Sequence, residues 1–286
     1  MSAGTEASSL APAARAVTRI EPSRALVPVN LGELWEYRSL LYLLVWREVK
    51  VRYKQTALGV AWAVIQPVMT MTVFSIFFGR LGGMPSDGFP YPVFAYCALL
   101  PWQLFSFAMT EASNSLVANQ RLVSKVYFPR LVLPMASVVV GLVDFGISFG
   151  VLAAMMAYYG IMPGVAILTL PLWTLLAVGT ALSMGLWLSA LNVQYRDVRY
   201  TLPFFTQLWM FATPVAYSSS LVPPMWRTLY GLNPMVGVVE GFRWALLGST
   251  TSPGSIVAVS VAAVIMLMTG GLFYFRKTER TFADVV

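Results

Sequence analysis

Six stretches of the chain stay apolar for long enough to cross a bilayer: residues 57–78, 93–116, 131–159, 165–191, 201–217 and 256–274. A helix rises 1.5 Å per residue, so about 20 apolar residues cover the roughly 30 Å of hydrocarbon. These runs are continuously apolar, whereas the strands of a membrane barrel alternate apolar and polar positions. The pattern therefore predicts an all-α, polytopic membrane protein with six transmembrane helices within residues 57–280.

The segments outside those runs predict smaller elements. Residues 1–30 are rich in Ala, Ser and Pro, lack periodicity, and predict a flexible cytoplasmic tail; residues 281–286 form a second, short cytoplasmic tail. Within residues 31–56 the apolar run 40–46 is too short to span. At 100° per residue, Leu41, Tyr42, Val45, Trp46, Val49 and Tyr53 share a broad face, Arg47, Lys50 and Lys54 lie opposite, and Arg52 falls close to the apolar side. Such an amphipathic helix suits the cytoplasmic membrane surface, against anionic lipid or a partner protein. Between the second and third runs, the polar stretch 117–130 carries Asn119, Gln120, Arg121, Ser124, Lys125 and Tyr127. It predicts one short helix, read either as a solvated connector or as a docking helix for a cytoplasmic subunit.

Residues 218–255 are interrupted by Pro223, Pro224 and Pro234, and the apolar run 235–247 is too short to span, which suits an external re-entrant or interfacial segment between the fifth and sixth spans. Pro234 fits a helix start with Asn233 as its cap. Glu240 and Arg243, three apart, share a helical face and offset each other's desolvation. Non-helical backbone at membrane depth is tolerated only against protein or a water-filled cavity, so a segment that dips inward here lines a path.

Charge then orients the chain. With six spans both termini share a side; that side holds 16 of the 19 Lys and Arg residues, leaving Arg80, Arg227 and Arg243 on the other. The positive-inside rule makes both termini cytoplasmic. The net charge of +7 is thereby explained by topological anchors, with no call for nucleic acid. At 58% apolar and 11% charged residues, the composition lies far from the roughly 25% charged residues of soluble domains. A single cysteine, Cys97, and the absence of histidine exclude an intrachain disulfide and any His- or multi-Cys metal site. No apolar stretch beside a small-residue cleavage site stands near the start, so the first span is expected to direct insertion itself.

Little catalytic chemistry remains. Asp144 is the one acid well inside a span, where an unpaired carboxylate costs about 2.5–3.5 kcal/mol, so it faces the interior. It reads either as part of a pathway or proton site, or as a structural acid that is protonated or paired. Glu111 reads as a boundary residue. Gly146 and Gly150 form a small-xxx-small pair that predicts close helix packing. Aromatic residues make up 14% of the chain. Trp62, Phe74, Phe204, Phe205 and Trp209 are candidates to line a channel, because ring faces meet sugar C–H groups without fixed hydrogen bonds; the bland alternative is interfacial belts and core. No GxxxxGK[ST] loop and no soluble stretch long enough for a nucleotide-binding fold is present, so the chain is read as non-catalytic and powered by a separate subunit.

Local motifs carry a resemblance. Arg52-Tyr53-Lys54-Gln55-Thr56 with Leu58-Gly59, Trp62 and Gln66-Pro67 resembles the approach to the first span in permeases of ABC-type polysaccharide exporters, which export O-antigen, capsule and teichoic acid. Val126-Tyr127-Phe128-Pro129-Arg130 with Leu133-Pro134 is similar to that family's cytoplasmic loop, Tyr195-Arg196-Asp197 to its motif after the fourth span, and Asn233-Pro234-Met235 with Glu240-Gly241-Phe242-Arg243 to its external re-entrant segment. The resemblance covers roughly residues 31–280. It implies a homodimer in the bacterial inner membrane, two ATPase subunits carrying ATP and Mg, and a channel for undecaprenyl-linked polysaccharide. It also implies an interface helix bearing Arg47, Lys50, Arg52 and Lys54, and a coupling helix around Asn119–Tyr127. The Tyr195–Asp197 cluster reads equally as a snorkelling anchor. A permease of this architecture moving a drug or small lipid is the nearest alternative. A membrane glycan polymerase or ligase is disfavoured, since the external loops offer little beyond Asp87, Glu240, Arg227 and Arg243.

Overall fold

The computed structural model describes residues 31–54, 61–248, 254–279 and Phe282. The tail 1–30, residues 55–56 of the interface helix, the Gln55-Thr56 and Leu58-Gly59 pairs, and all of the last tail except Phe282 lie outside them. The described residues are helical, without strands: α1 (Leu31–Glu36), α2 (Arg38–Lys54), α3 (Ala61–Phe74) continued by a π-helical stretch Ser75–Leu81, α4 (Tyr91–Ala118), α5 (Gln120–Lys125), α6 (Val132–Tyr158), α7 (Leu170–Gln194) after a 3-10 turn Val165–Thr169, α8 (Val198–Phe211), α9 (Pro224–Tyr230), α10 (Pro234–Leu247) and α11 (Gly254–Glu279).

Five helical stretches are long and apolar enough to span: Ala61–Leu81, Tyr91–Ala118, Val132–Tyr158, Val165–Gln194 and Gly254–Glu279. The most apolar window of α4 is 78% buried, against 11–28% in the other four, so α4 is the axle of the bundle. Phe94, Tyr96, Leu99, Leu100, Phe105 and Met109 from α4 form the centre of the core. The directions of its neighbours follow from their contacts. Near the end of α7, the Asn192 amide donates to the Ser113 carbonyl (3.0 Å) and to Asn114 Oδ1 (3.1 Å) near the end of α4, so the two helices run parallel. The Tyr96 hydroxyl near the start of α4 donates to the Ser148 carbonyl well along α6, whereas Gly141, earlier on α6, lies against Leu104 and Phe107, so α6 runs opposite to α4.

The expected span at residues 201–217 is helical only as far as Phe211. Pro214, lacking an N–H and disfavouring helix in the residue before it, ends the helix. At 14 residues α8 is about 21 Å long, short of the hydrocarbon thickness by itself. The chain still traverses the bundle: α8 starts at the end where α7 finishes, while the Tyr91 hydroxyl at the opposite end donates to the Ala216 carbonyl at 2.6 Å. Ser218 Oγ there donates to Asp87 Oδ2 at 2.6 Å.

The other end holds a second apolar cluster. Leu44 of α2 and Val123 of α5 pack with Leu116, Phe128 and Leu131, with Phe275 near the end of α11, and with Phe282 beyond it. The first described helices and the last described residues therefore meet at one end of the bundle. The helix expected over 31–56 is broken at Tyr37, and its buried side centres on Leu44, whereas Tyr42 and Trp46, expected on the apolar face, are exposed.

Close helix contact occurs at different glycines from the expected pair. A Cβ at Gly146 or Gly150 would meet nothing within 4 Å, so their face of α6 is open within this chain. At Gly185 a Cβ would lie 2.6 Å from the Ala112 Cβ, and at Gly241 2.3 Å from the Trp173 indole. Gly241→Ala is expected to lower stability by about 1–3 kcal/mol through overpacking, and Gly146→Ala to leave the isolated chain unchanged or slightly more stable; thermal melts of the purified variants in detergent check the contrast.

Candidate functional site

At the end shared by α2 and α5, polar side chains face outward. Gln120, Arg121, Ser124, Lys125 and Tyr127 are exposed around α5, while Val123 and Phe128 anchor it underneath. Asn119 differs from its neighbours: it is half-buried and its Oδ1 accepts from Arg47 on α2 at 2.9 Å. This bond ties the two candidate surface helices together. Lys50 and Lys54 are exposed. Glu48 sits between Arg47, 3.8 Å away, and the α4 carboxylate Glu111; burial lifts its carboxyl above the ordinary range, Arg47 opposes that shift and Glu111 adds to it. The Phe128-Pro129-Arg130 motif is fastened to the end of α11, where the Arg130 guanidinium donates to the Glu279 carbonyl and lies 5.8 Å from the Phe282 ring centre. Tyr195, Arg196 and Asp197 are exposed between α7 and α8 at this same end, and no Arg196–Asp197 ion pair forms among the described residues.

Arg52, the residue that broke the amphipathic pattern, turns inward. Its guanidinium lies 2.9 Å from Asp144 on α6 and 4.2 Å from the Phe107 ring centre on α4. The Tyr53 hydroxyl donates to the other Asp144 oxygen, and burial together with that bond raises the phenol above its ordinary range. Asp144 is thus held as a paired acid. It borders a cavity of about 650 Å³ between the end of α2 and helices α3, α4 and α6, whose lining includes Trp62, Gln66, Gln103, Ser106, Thr110 and Glu111. The sequence alone gives Trp62, Gln66 and Glu111 separate readings and passes over Gln103, Ser106 and Thr110. Their signal was there: 103, 106, 110 and 111 share one face of a helix. Asp144→Asn is expected to cost about 1–2 kcal/mol by leaving Arg52 half-satisfied, and Arg52→Gln in the same chain to recover part of that loss; a double-mutant cycle of melting midpoints measures the coupling.

The opposite end is organised by Asn233 and Arg243. Asn233 caps α10 by accepting from the Met235 N–H (3.1 Å), accepts from Trp209 Nε1 (2.9 Å), and donates to Thr213 Oγ1 (3.0 Å) and the Ala212 carbonyl (3.2 Å). Pro234 follows as the first residue of the helix. Ser260 on α11 donates to the Gly231 carbonyl at 2.9 Å, so α9 and α10 form a hairpin whose turn, 231–233, is gripped between α8 and α11. Arg243 is 2% exposed; it donates to the carbonyls of Val215 (3.1 Å) and Tyr217 (3.2 Å), stands 3.5 Å from Glu240, and stacks 3.6 Å over Phe94. These are carbonyls that the broken end of α8 leaves without helical partners.

The candidate channel aromatics separate into two groups. Trp62 (53% exposed) and Phe204 (66%) present open faces, with Phe205 beside them, and Trp209 is half-buried against Phe105 and Phe205. Phe74 is 7% exposed and packs edge-on against Phe78, so it belongs to the core of the chain and lines no open surface.

Comparison with known proteins places this arrangement. Residues 39–247, from α2 to the end of α10, match the family model described as ABC-2 type transporter. The chain belongs to the ABC-2 type transporter family. This ABC-2 transporter chain is 31% identical over 257 residues, 89% of its length and 98% of the relative's, to the O-antigen export system permease protein RfbA of Myxococcus xanthus. It is 26% identical over 258 residues to the protein of that name from Klebsiella pneumoniae, covering 90% of this chain and 97% of the relative. The polysialic acid transport protein KpsM of Escherichia coli is 24% identical over 243 residues, covering 82% and 91%.

Proposed function

We propose that this chain is the permease subunit of an ATP-driven exporter that carries lipid-linked polysaccharide, most simply O-antigen or a capsular polymer, across the bacterial inner membrane. The observation that carries the reading is the end-to-end correspondence with an O-antigen export permease, 98% of whose length is matched. The exposed, basic surface of α5 is the docking face for two ATPase subunits, which bind ATP and Mg and do the hydrolysis. Both termini are cytoplasmic, in keeping with the meeting of α2 and the end of α11 at one end of the bundle. The segment from α8 to residue 218 makes the sixth crossing, and the α9–α10 hairpin dips from the outer face as the re-entrant exit. A second copy packs against the open aromatic face of α8 and α3, and the channel for the undecaprenyl-linked glycan runs between the copies, with no role for nucleic acid.

Deleting the gene and assaying surface glycans together with the lipid-linked pool tests this directly. The expected result is loss of one surface polymer while its full-length, lipid-linked form is retained inside. An unchanged surface accompanied by new sensitivity to drugs would overturn the glycan reading in favour of a small-molecule exporter.

A further inference from the structure

Polar groups on a membrane-crossing helix require partners, because hydrocarbon supplies none. On the cavity side of α4, Gln103, Ser106, Thr110 and Glu111 stand at i, i+3, i+7 and i+8, and Gln66 on α3 borders the same space. Among the described residues none of these side chains makes a hydrogen bond or ion pair within the chain. Several polar side chains elsewhere in the spans are occupied: Thr174, Thr180 and Ser183 donate back to their own helix and Asn192 bridges to α4, while the buried Ser113 Oγ stands as an isolated hydroxyl, unpartnered among the described residues. The α4 wall of this cavity therefore groups four side chains whose hydrogen-bonding capacity is unused among the described residues.

Charge narrows the occupant. The one cation among the described lining residues, Arg52, is already paired with Asp144, and Glu111 adds a carboxylate with no salt-bridge partner among the described residues. A phosphate or other anion would meet net negative potential in a low-dielectric setting and be repelled. Two amides and two hydroxyls supply both donors and acceptors, and the half-exposed Trp62 indole supplies a flat apolar face. A neutral sugar has that combination in reverse, a rim of hydroxyls around C–H faces. The volume of about 650 Å³ lies within the roughly 300–1,000 Å³ of small-ligand sites.

We propose that the cavity between α2, α3, α4 and α6 is a binding site for a neutral glycosyl segment of the exported polymer, held by Gln66, Gln103, Ser106 and Thr110 against Trp62. The proposal rests on the glycan-export reading and locates a sugar site among helices of a single chain. Glu111 biases the site against the anionic part of the carrier, so a sugar and not its phosphate lodges there.

A photo-reactive phenylalanine analogue in place of Phe107, which borders the cavity, tests this in cells carrying the complete exporter. A second probe, replacing Leu172 on the exposed outer side of α7, serves as the control. Illumination is expected to attach carbohydrate-positive material to the protein at 107 and only phospholipid at 172. Capture of phospholipid alone at both positions overturns the site. The pair Gln66→Leu with Gln103→Leu is expected to lower both carbohydrate capture and initial export rate about ten-fold while protein abundance and melting midpoint stay unchanged. Should that pair misfold, Gln103→Leu alone is expected to give a smaller drop in both. Undiminished capture in a folded variant overturns the assignment to these side chains. The two readings fail separately: a deletion strain with a normal surface glycan defeats export and the site together, whereas export that depends on the chain with lipid-only capture defeats the site alone.

Discussion

Replacing Arg243 with Ala is expected to cost about 3–5 kcal/mol of stability, the largest loss of any single side chain at the end of the bundle organised by Asn233 and Arg243. The guanidinium serves the Val215 and Tyr217 carbonyls, Glu240 and the Phe94 ring at once, and it is almost wholly buried. Its removal leaves a carboxylate and two carbonyls without partners in a low-dielectric setting, and each such group costs more than a hydrogen bond ordinarily contributes. Arg243→Lys is expected to recover only a minor part, because an ammonium lacks the planar fork that reaches two carbonyls and stacks on a ring. Melting of the variants in nanodiscs reads the effect. An alanine variant melting with the parent would show that the 212–218 turn is held by α10 packing alone, through Asn233 and Trp209.

The double reversal Arg121→Glu with Lys125→Glu is expected to abolish assembly while leaving the chain folded. Both side chains are exposed, and surface changes of this kind move stability by about 0.5 kcal/mol or less. At a docking face the same change places like charges together and costs several kcal/mol, on the order of 100-fold or more in affinity. Co-purification of the ATPase subunit from membranes, measured beside the melting midpoint, separates the two effects. Normal co-purification would return residues 117–130 to the solvated-connector reading and move the docking face to Tyr195–Asp197, which is exposed at the same end.

The two variants probe features of different visibility. The short α5 helix, with apolar Val123 and Phe128 flanked by charge, could be read from local pattern, as could the Asn233–Pro234 start of α10, because caps and short amphipathic turns are decided by residues within a few positions of one another. Pro214 carried an equally local stop signal for α8, and the apolar content of residues 201–217 obscured it. The Asp87–Ser218 bond and the grip of Arg243 on residues 215 and 217 span too much chain for any periodicity to report.

The sequence by itself determined that this chain is a helical membrane protein, where its long spans lie, and which family it resembles. Hydropathy accumulates residue by residue along a helix, and the motifs are contiguous. Only the tertiary structure decided which side of each helix is used. It put Phe74 in the core and left Phe204 open, passed over Gly146 and Gly150 in favour of Gly185 and Gly241, and turned Arg52 from a surface helix into contact with Asp144, 92 positions away. Spacing along a helix says which residues share a face. It does not say which neighbour that face will meet, and that choice belongs to the packing of the whole bundle around α4.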